Sequence, residues 1–101
     1  MTQTEMINTI EQLFARIIET LKAKSNDYAS DEDPFKNLKN SQVVGVTVEQ
    51  GMGVRMLDKL TRIFNLIGGK KQAVKDESIE DTIIDLIGYL ALLYAWMKRK
   101  K

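Results

Sequence analysis

The feature that most limits the fold of this chain is an almost uninterrupted apolar segment near its end, residues 83–97, IIDLIGYLALLYAWM. The segment is shorter than the roughly 20 apolar residues of a membrane-spanning helix, and it contains Asp85. It therefore predicts a helix buried on most of its sides, and no membrane association. A chain of 101 residues with 44% hydrophobic residues forms only a small core. We therefore expect one domain, residues 1–101, completed as a homodimer or a larger homo-oligomer.

Two capping boxes mark the starts of two further long helices. A T-x-x-E box at residues 2–5 opens a first helix that reaches about Lys24. A T-x-x-Q box at residues 47–50 opens another helix, which the glycine pair at residues 68–69 ends. Gly51 and Gly53 each weaken a helix interior by about 1 kcal/mol relative to alanine. Either these glycines let another backbone come close, or this helix begins later.

Shorter signals complete the helix pattern. An Asp-Pro pair at residues 33–34 predicts the start of a short helix that runs through about Val43 and ends at Gly45. The final helix is expected to begin near Asp76 or Ser78. No stretch alternates apolar and polar residues in the manner of a strand. The predicted fold is therefore all-α, a bundle of three long helices and a short one.

Composition excludes several kinds of chemistry. The chain contains no cysteine and no histidine, which removes disulfides, zinc-thiolate sites and Cys or His nucleophiles. Any chemistry must therefore use carboxylates, lysines, arginines and hydroxyls. A net charge of +1 argues against non-specific nucleic-acid binding. The N-terminus has no basic region followed by an apolar run, so no secretory signal is expected and the predicted location is the cytoplasm.

An acidic row is the sharpest local signal. Glu77, Asp81 and Asp85 recur every four residues, so a helix places their carboxylates in one line. These like charges need a compensating cation, which could be Mg²⁺, since carboxylate oxygens suit it. Paired lysines or arginines could neutralise the row equally well, and acids in a first helical turn are often simply solvated. The face of Asp85 continues through Tyr89 and Trp96, which favours an inward-facing row.

A basic row lies on the helix before it. Arg55, Lys59 and Arg62 share one helical face, with Asp58 beside them. Most such rows are solvated surface, and this one lies largely opposite the apolar stripe of its helix. If an oligomer covers this face instead, the row becomes a phosphate clamp or the ion-pair partner of the acidic row.

The stretch KSNDYASDEDPFKN, residues 24–37, combines a cation, aromatic rings and an amide. A nucleotide site needs such groups, because a cation binds phosphate, a ring stacks on the base and an amide recognises a base edge. The candidate residues are Lys24, Asp27, Tyr28 and Asn37. The simpler interpretation, which composition favours, is a polar turn whose Tyr28 and Phe35 cap the core.

Four motifs in a fixed order resemble a known family. They are K-x-x-D-Y, D-P-F-x-N, R-M-x-D-K-x-x-R-I-x-N-L and D-E-S-I-E-D-T-x-x-D-L-x-x-Y. Their order and spacing, over about residues 14–97, resemble the nucleotide-modification-associated domain family of small, largely phage-encoded proteins. That family is similar in turn to the MazG-like all-α nucleoside triphosphate pyrophosphohydrolases. The resemblance implies a MazG-like helical fold and, for a phage protein, a location in the host cytoplasm.

The resemblance also implies a site and two possible functions. In the first, the protein hydrolyses a nucleoside triphosphate between its α and β phosphates, with Glu77, Asp81 and Asp85 as catalytic carboxylates that bind Mg²⁺ together with Asp58. In the second, it holds a nucleotide intact, for example to sequester a cyclic oligonucleotide immune signal. The nucleotide-binding residues that the resemblance marks are Lys24, Asp27, Tyr28, Asn37, Arg55, Lys59, Arg62 and Tyr89.

The sequence departs from the hydrolase pattern in its first helix. The related pyrophosphohydrolases carry an E-x-x-E cluster there, whereas Glu11 and Glu19 of this chain are eight residues apart. Asp27 or Asp58 would have to supply the missing metal ligands.

Overall fold

A computed structural model of the protein describes residues 1–28, 33–69 and 78–99, with side chains only up to Lys24 in the first range. Its helices are α1 (Gln3–Tyr28), a 3-10 helix (Leu38–Val44), α2 (Val48–Ile67) and α3 (Ile79–Lys98). The described ranges contain no strand, so the prediction of an all-α chain with three long helices and a short one is confirmed. None of the described helices has the length and apolar character needed to cross a membrane.

The helix ends follow local capping chemistry. The Thr47 hydroxyl accepts a hydrogen bond from the Gln50 amide at 3.1 Å, and the Gln50 side chain accepts one from the Thr47 amide at 3.0 Å. This reciprocal pair is the predicted capping box. Ser78 caps α3 by accepting from the Asp81 amide at 3.1 Å, and Gly68 follows the last residue of α2. These predicted ends are confirmed.

The segment between α1 and α2 differs from its prediction. Helix α1 continues to Tyr28, beyond the predicted end near Lys24. The Asp33 carboxylate accepts from the Phe35 amide at 3.3 Å and pairs with Lys39 at 3.2 Å. Such a side-chain bond to nearby backbone competes with regular helix, and a turn precedes the 3-10 helix, which ends at Gly45 as predicted.

Helix α3 lies between α1 and α2. Its contacts with α1 advance in the same direction along both helices, from Arg16–Asp81 to Lys24–Asp85, so α1 and α3 are parallel. From Glu49 to Arg62 the bonded residues advance along α2, while their partners go back along α3 from Trp96 to Thr82. Helices α2 and α3 are therefore antiparallel. Within the described residues the backbones of α1 and α2 do not come close to each other. The three helices therefore form a layer with α3 in the middle.

The main core lies where the start of α2 meets the end of α3. It consists of the buried residues Leu38, Val48, Met52 and Trp96. The Trp96 indole donates a hydrogen bond to the Glu49 carboxylate, and the Arg99 guanidinium lies 3.3 Å from the centre of the Trp96 ring. Phe35 packs edge-on against Trp96, with 5.4 Å between ring centroids. This packing ties the 3-10 helix segment to both long helices.

The two glycines near the start of α2 have different surroundings. A Cβ atom at Gly51 would lie 2.7 Å from the Ser41 Cβ, so Gly51 allows the 3-10 helix to come close. A Cβ atom at Gly53 would meet nothing within 4 Å. Because α2 begins at Val48, the alternative of a later helix start is wrong. Gly51 has a packing reason within this chain, whereas Gly53 has none among the described residues.

The prediction that α3 is buried on most of its sides is met only in part within a single chain, because several residues of its apolar segment stay exposed. Thr82, Ile84, Gly88 and Trp96 are buried, because α1 and α2 cover these positions. The residues Leu90, Tyr94 and Met97 expose half or more of their surface. One face of α3 is therefore apolar and is not covered by the part of the chain that the structure describes.

Candidate functional site

A cavity of about 210 Å³ lies over α3, between α1 and α2. We call it the inner cavity. Its apolar lining comes from α1, α3 and the 3-10 helix and includes Ile17, Leu21, Leu38, Ile84 and Leu92. Its polar lining includes Lys24, Asn37, Arg55, Asp85 and Tyr89. Five residues that the sequence marked for ligand or metal binding thus meet around one apolar space.

A second cavity of about 430 Å³, the outer cavity, adjoins the first. It is lined by Arg55, Asp58, Lys59, Arg62 and Tyr89. Arg55 and Tyr89 line both cavities, so an apolar space and a charged space meet at these two side chains. The volume of the outer cavity alone falls in the range of about 300–1,000 Å³ that is usual for small-molecule sites.

The acidic row is ion-paired where the structure describes it. The Asp85 carboxylate lies 3.5 Å from the Lys24 ammonium and 3.2 Å from the Lys59 ammonium. The Asp81 carboxylate pairs with the Arg16 guanidinium at 3.0 Å. Of the interpretations left open by the sequence, neutralisation by lysine and arginine is therefore the one observed for these two residues.

The basic row of α2 is partly buried, not a solvated surface. Arg55, Lys59 and Arg62 are all partly covered. The Arg62 Nε donates a hydrogen bond to the Thr82 hydroxyl at 3.2 Å, and Thr82 is fully buried. Arg55 makes no hydrogen bond or ion pair with any residue of the described ranges. Its guanidinium is therefore a donor group available at the junction of the two cavities.

The described carboxylates do not by themselves fit a Mg²⁺ site. Asp81 and Asp85 are engaged by cations, and Asp58 lies on α2 in the outer cavity. Within residues 1–28, 33–69 and 78–99, no three acidic, histidine or cysteine side chains come together in a way that could hold a metal. Glu77 lies outside the described residues, and so do the side chains of Asp27 and Tyr28. A metal site that includes Glu77 stays a prediction.

The loop residues separate into two groups. Lys24 and Asn37 line the inner cavity, while Phe35 packs on Trp96 in the core. The Asn37 side-chain oxygen accepts from the Asn40 amide group at 3.2 Å, which fixes its orientation. The predicted ligand role is therefore spatially open to Lys24 and Asn37, and Phe35 has the predicted core role.

Two residues near the site carry signals that sequence reasoning missed. Arg16 holds Asp81, and Thr20 lines the inner cavity. Arg16, Thr20 and Lys24 recur every four residues on α1, the same spacing as the acidic row. The observed pairs step by eight residues on α1 and by four on α3, so the equal spacing of the two rows does not by itself identify the partners of Asp81 and Asp85.

Comparisons with protein-family models, with curated proteins and with solved structures gave no match to this chain. The resemblance to the nucleotide-modification-associated family is therefore carried by sequence motifs alone and stays a prediction.

Proposed function

We propose that the protein binds a nucleotide across the two cavities, with a base in the inner cavity and phosphates in the outer one. The observation that carries the proposal is that Arg55 and Tyr89 line both spaces. A ligand that reaches from one cavity into the other would combine an apolar ring with an anionic group. A nucleotide has this combination, and the sequence motifs favour it over other anions.

The balance of charge supports an anionic ligand. Four cationic side chains line the two cavities, namely Lys24, Arg55, Lys59 and Arg62, against the two carboxylates of Asp58 and Asp85. Arginine forms bidentate hydrogen bonds with phosphate, and lysine supplies a point charge. Partly buried cations attract a phosphate more strongly than solvated ones, because water screens the charges less.

Asp85 has a positioning role in this arrangement. It lies between Lys24 of α1 and Lys59 of α2 and holds both ammonium groups at the cavity wall. Ordering these flexible side chains before the ligand arrives lowers the entropy cost of binding. The pair of contacts also links two helices whose backbones do not come close to each other in the described ranges.

Binding without hydrolysis is the function that the geometry supports best. Both described carboxylates of the acidic row are neutralised by side-chain cations, so hydrolysis by a Mg²⁺-dependent pyrophosphohydrolase would depend on ligands beyond them. The resemblance to small phage proteins suggests one use for binding alone, which is to sequester a nucleotide signal, including a cyclic oligonucleotide, in the host cytoplasm.

The test is to incubate the full chain with Mg²⁺ and a panel of nucleoside triphosphates and cyclic oligonucleotides, and then to remove unbound nucleotide. Denaturing the protein and resolving the released nucleotide by chromatography should return one ligand intact. Release of a monophosphate with pyrophosphate would establish hydrolysis instead. If no nucleotide is retained, the proposal is wrong.

A further inference from the structure

The side of the helix layer opposite the cavities is apolar. On α2, Leu60, Phe64 and Ile67 follow one another at steps of four and three residues, and on α3 Leu90, Tyr94 and Met97 do the same. We call these six residues the apolar face. Each of the six exposes between 38% and 69% of its surface. The antiparallel register of α2 and α3 puts the two sets toward opposite ends of the helix pair, so together they extend along the layer instead of standing as scattered single side chains.

Helix geometry places the apolar face away from the site. Leu90 precedes the cavity residue Leu92 by two positions, and Leu60 precedes the cavity residue Arg62 by two positions. Two residues of an α-helix correspond to a rotation of about 200°. The apolar face and the ligand cavities therefore lie on opposite sides of the same layer.

The apolar face contains no charged side chain. The charged residues between positions 50 and 68 of α2 are Arg55, Asp58, Lys59 and Arg62, and all of them line the outer cavity. Between positions 83 and 97 of α3 the only charged residue is Asp85, which lines the inner cavity. A low content of charged residues at the centre of a patch distinguishes protein interfaces from other protein surface. A face without charges can also meet its own copy without like-charge repulsion.

Gly53 supplies an independent observation. It precedes Leu60 and Phe64 by seven and eleven residues, so it lies on the same line along α2. A glycine inside a helix costs about 1 kcal/mol relative to alanine, and the space beside Gly53 is open. A helix of another molecule that packs closely at this point would explain why the position lacks a side chain.

The exposed area is close to what a stable dimer needs. With about 200 Å² for each of these large side chains, the exposed fractions of the six residues correspond to roughly 700 Å². A standard interface buries about 800 Å² on each partner. The radius of gyration, 15.4 Å, also exceeds the roughly 13 Å of a compact domain of this length, as expected of an open layer.

We propose that a second copy of this chain packs on the apolar face by two-fold symmetry, so that two helix layers form one core with a nucleotide site on each outer side. A two-fold contact brings identical patches together, and Gly53 would lie where the helices approach most closely. A lipid surface fits less well, because interfacial helices carry basic residues along their polar side, whereas the basic residues of α2 line a cavity.

The experiment is to measure the mass of the full chain in solution by light scattering at micromolar concentration, and the dimer affinity by sedimentation. The wild type should have twice the 11.5 kDa mass of one chain. Phe64→Glu and Tyr94→Glu should each weaken the dimer by about 30-fold or more, as for truncation of a central interface residue. Val43→Glu is the matched control, because Val43 is equally apolar and 87% exposed but lies on the 3-10 helix.

Gly53→Leu keeps the test decisive if the charged variants fold poorly. The added side chain has open space in the single chain and favours the helix, so it should weaken the dimer without lowering helix content by circular dichroism. A wild type that is a monomer in solution overturns the proposal. A monomer that sediments with phosphatidylserine vesicles overturns it too, since the apolar face would then bind lipid. A dimer that Phe64→Glu, Tyr94→Glu and Gly53→Leu all leave unchanged also overturns it.

Discussion

The Lys59 ammonium of α2 lies 3.2 Å from the Asp85 carboxylate of α3, and the Lys24 ammonium of α1 approaches the same carboxylate at 3.5 Å. One acidic side chain therefore joins three helices at the wall of the ligand cavity. All three side chains keep about a quarter to a half of their surface in water. The contacts consequently contribute positioning more than stability, since solvent screens ion pairs of this kind.

Asp85→Asn separates the two candidate functions. If the protein binds a nucleotide without hydrolysis, removing this negative charge from a phosphate site should offset the lost ordering of Lys24 and Lys59, so the affinity measured by calorimetry should change little. The free energy of unfolding should fall by about 1 kcal/mol or less, because the pairs are partly exposed. If Asp85 is a metal ligand of a hydrolase, the same change should abolish Mg²⁺-dependent turnover. Asp33→Asn, which disrupts the ion pair with Lys39 outside the site, is the control.

Arg55→Gln should weaken nucleotide binding without destabilising the fold. Arg55 lines both cavities and makes no hydrogen bond or ion pair within the described ranges, so its loss leaves no described partner unsatisfied. A charge-assisted hydrogen bond contributes about 1.5–3 kcal/mol, which corresponds to roughly a 10- to 150-fold weaker affinity. Calorimetry measures the affinity and thermal denaturation measures the stability.

Two matched variants make the Arg55 result interpretable. Arg62→Gln removes the donor to the buried Thr82 hydroxyl, so it should lower both affinity and thermal stability. Lys36→Gln removes an exposed cation that lines neither cavity and should change neither. Equal affinities for wild type and Arg55→Gln would exclude Arg55 as a phosphate ligand.

The local part of this structure could be predicted from sequence, and the long-range part could not. Capping at Thr47 and Ser78 depends on residues three positions away, so it is visible in a short window. The Arg16–Asp81 pair depends on the parallel register of α1 against α3. That register is set by packing such as Leu21 beside Gly88, where a Cβ would lie 3.6 Å from the leucine Cδ2. No local pattern encodes it.

The faces of α2 show why periodicity alone misleads. The apolar stripe through Met52, Ile63 and Phe64 predicts one buried side. The structure buries Met52 and Ile63, but Phe64 is 64% exposed while the basic row is partly covered. The helix turns its cationic side partly toward α3, because Lys59 and Arg62 find partners there. These tertiary contacts help to set which side of α2 faces inward, and they leave Phe64 on an exposed side.

Glu49→Gln should reduce stability at neutral pH and lose that effect in acid. The hydrogen bond from the Trp96 indole lowers the pKa of Glu49 below its ordinary value of 4.5. When the pKa of a carboxyl is lower in the folded chain than in the unfolded chain, the ionised group stabilises the fold at pH values above its unfolded pKa. This stabilisation is lost as the pH falls through its folded pKa. The difference in unfolding free energy between wild type and Glu49→Gln should therefore be largest well above pH 4.5 and shrink below it.

Urea denaturation at a series of pH values measures this difference. Glu19→Gln is the control, since Glu19 is exposed on α1 and has no side-chain bond to a described residue. Its effect should be small at every pH. A Glu49→Gln effect that does not depend on pH would mean that the Trp96 contact does not favour the ionised carboxylate.

Gly51→Ala and Gly53→Ala should have opposite effects, although both add one methyl group two residues apart on α2. At Gly51 the new Cβ would lie 2.7 Å from the Ser41 Cβ and 2.9 Å from its hydroxyl oxygen, so the 3-10 helix must move away. Forced shifts of this kind cost about 1–3 kcal/mol. At Gly53 the space is open, and the change should stabilise the helix by up to about 1 kcal/mol.

These two changes are best compared by urea denaturation in a Phe64→Glu chain, because a monomeric background keeps the apolar face from contributing to the result. There, Gly53→Ala should raise the unfolding midpoint and Gly51→Ala should lower it. In the wild-type background the gain from Gly53→Ala should shrink if a second copy packs closely at this glycine, since the methyl group would then meet the partner helix. An equal gain in both backgrounds would place the closest approach of the two copies elsewhere on the apolar face.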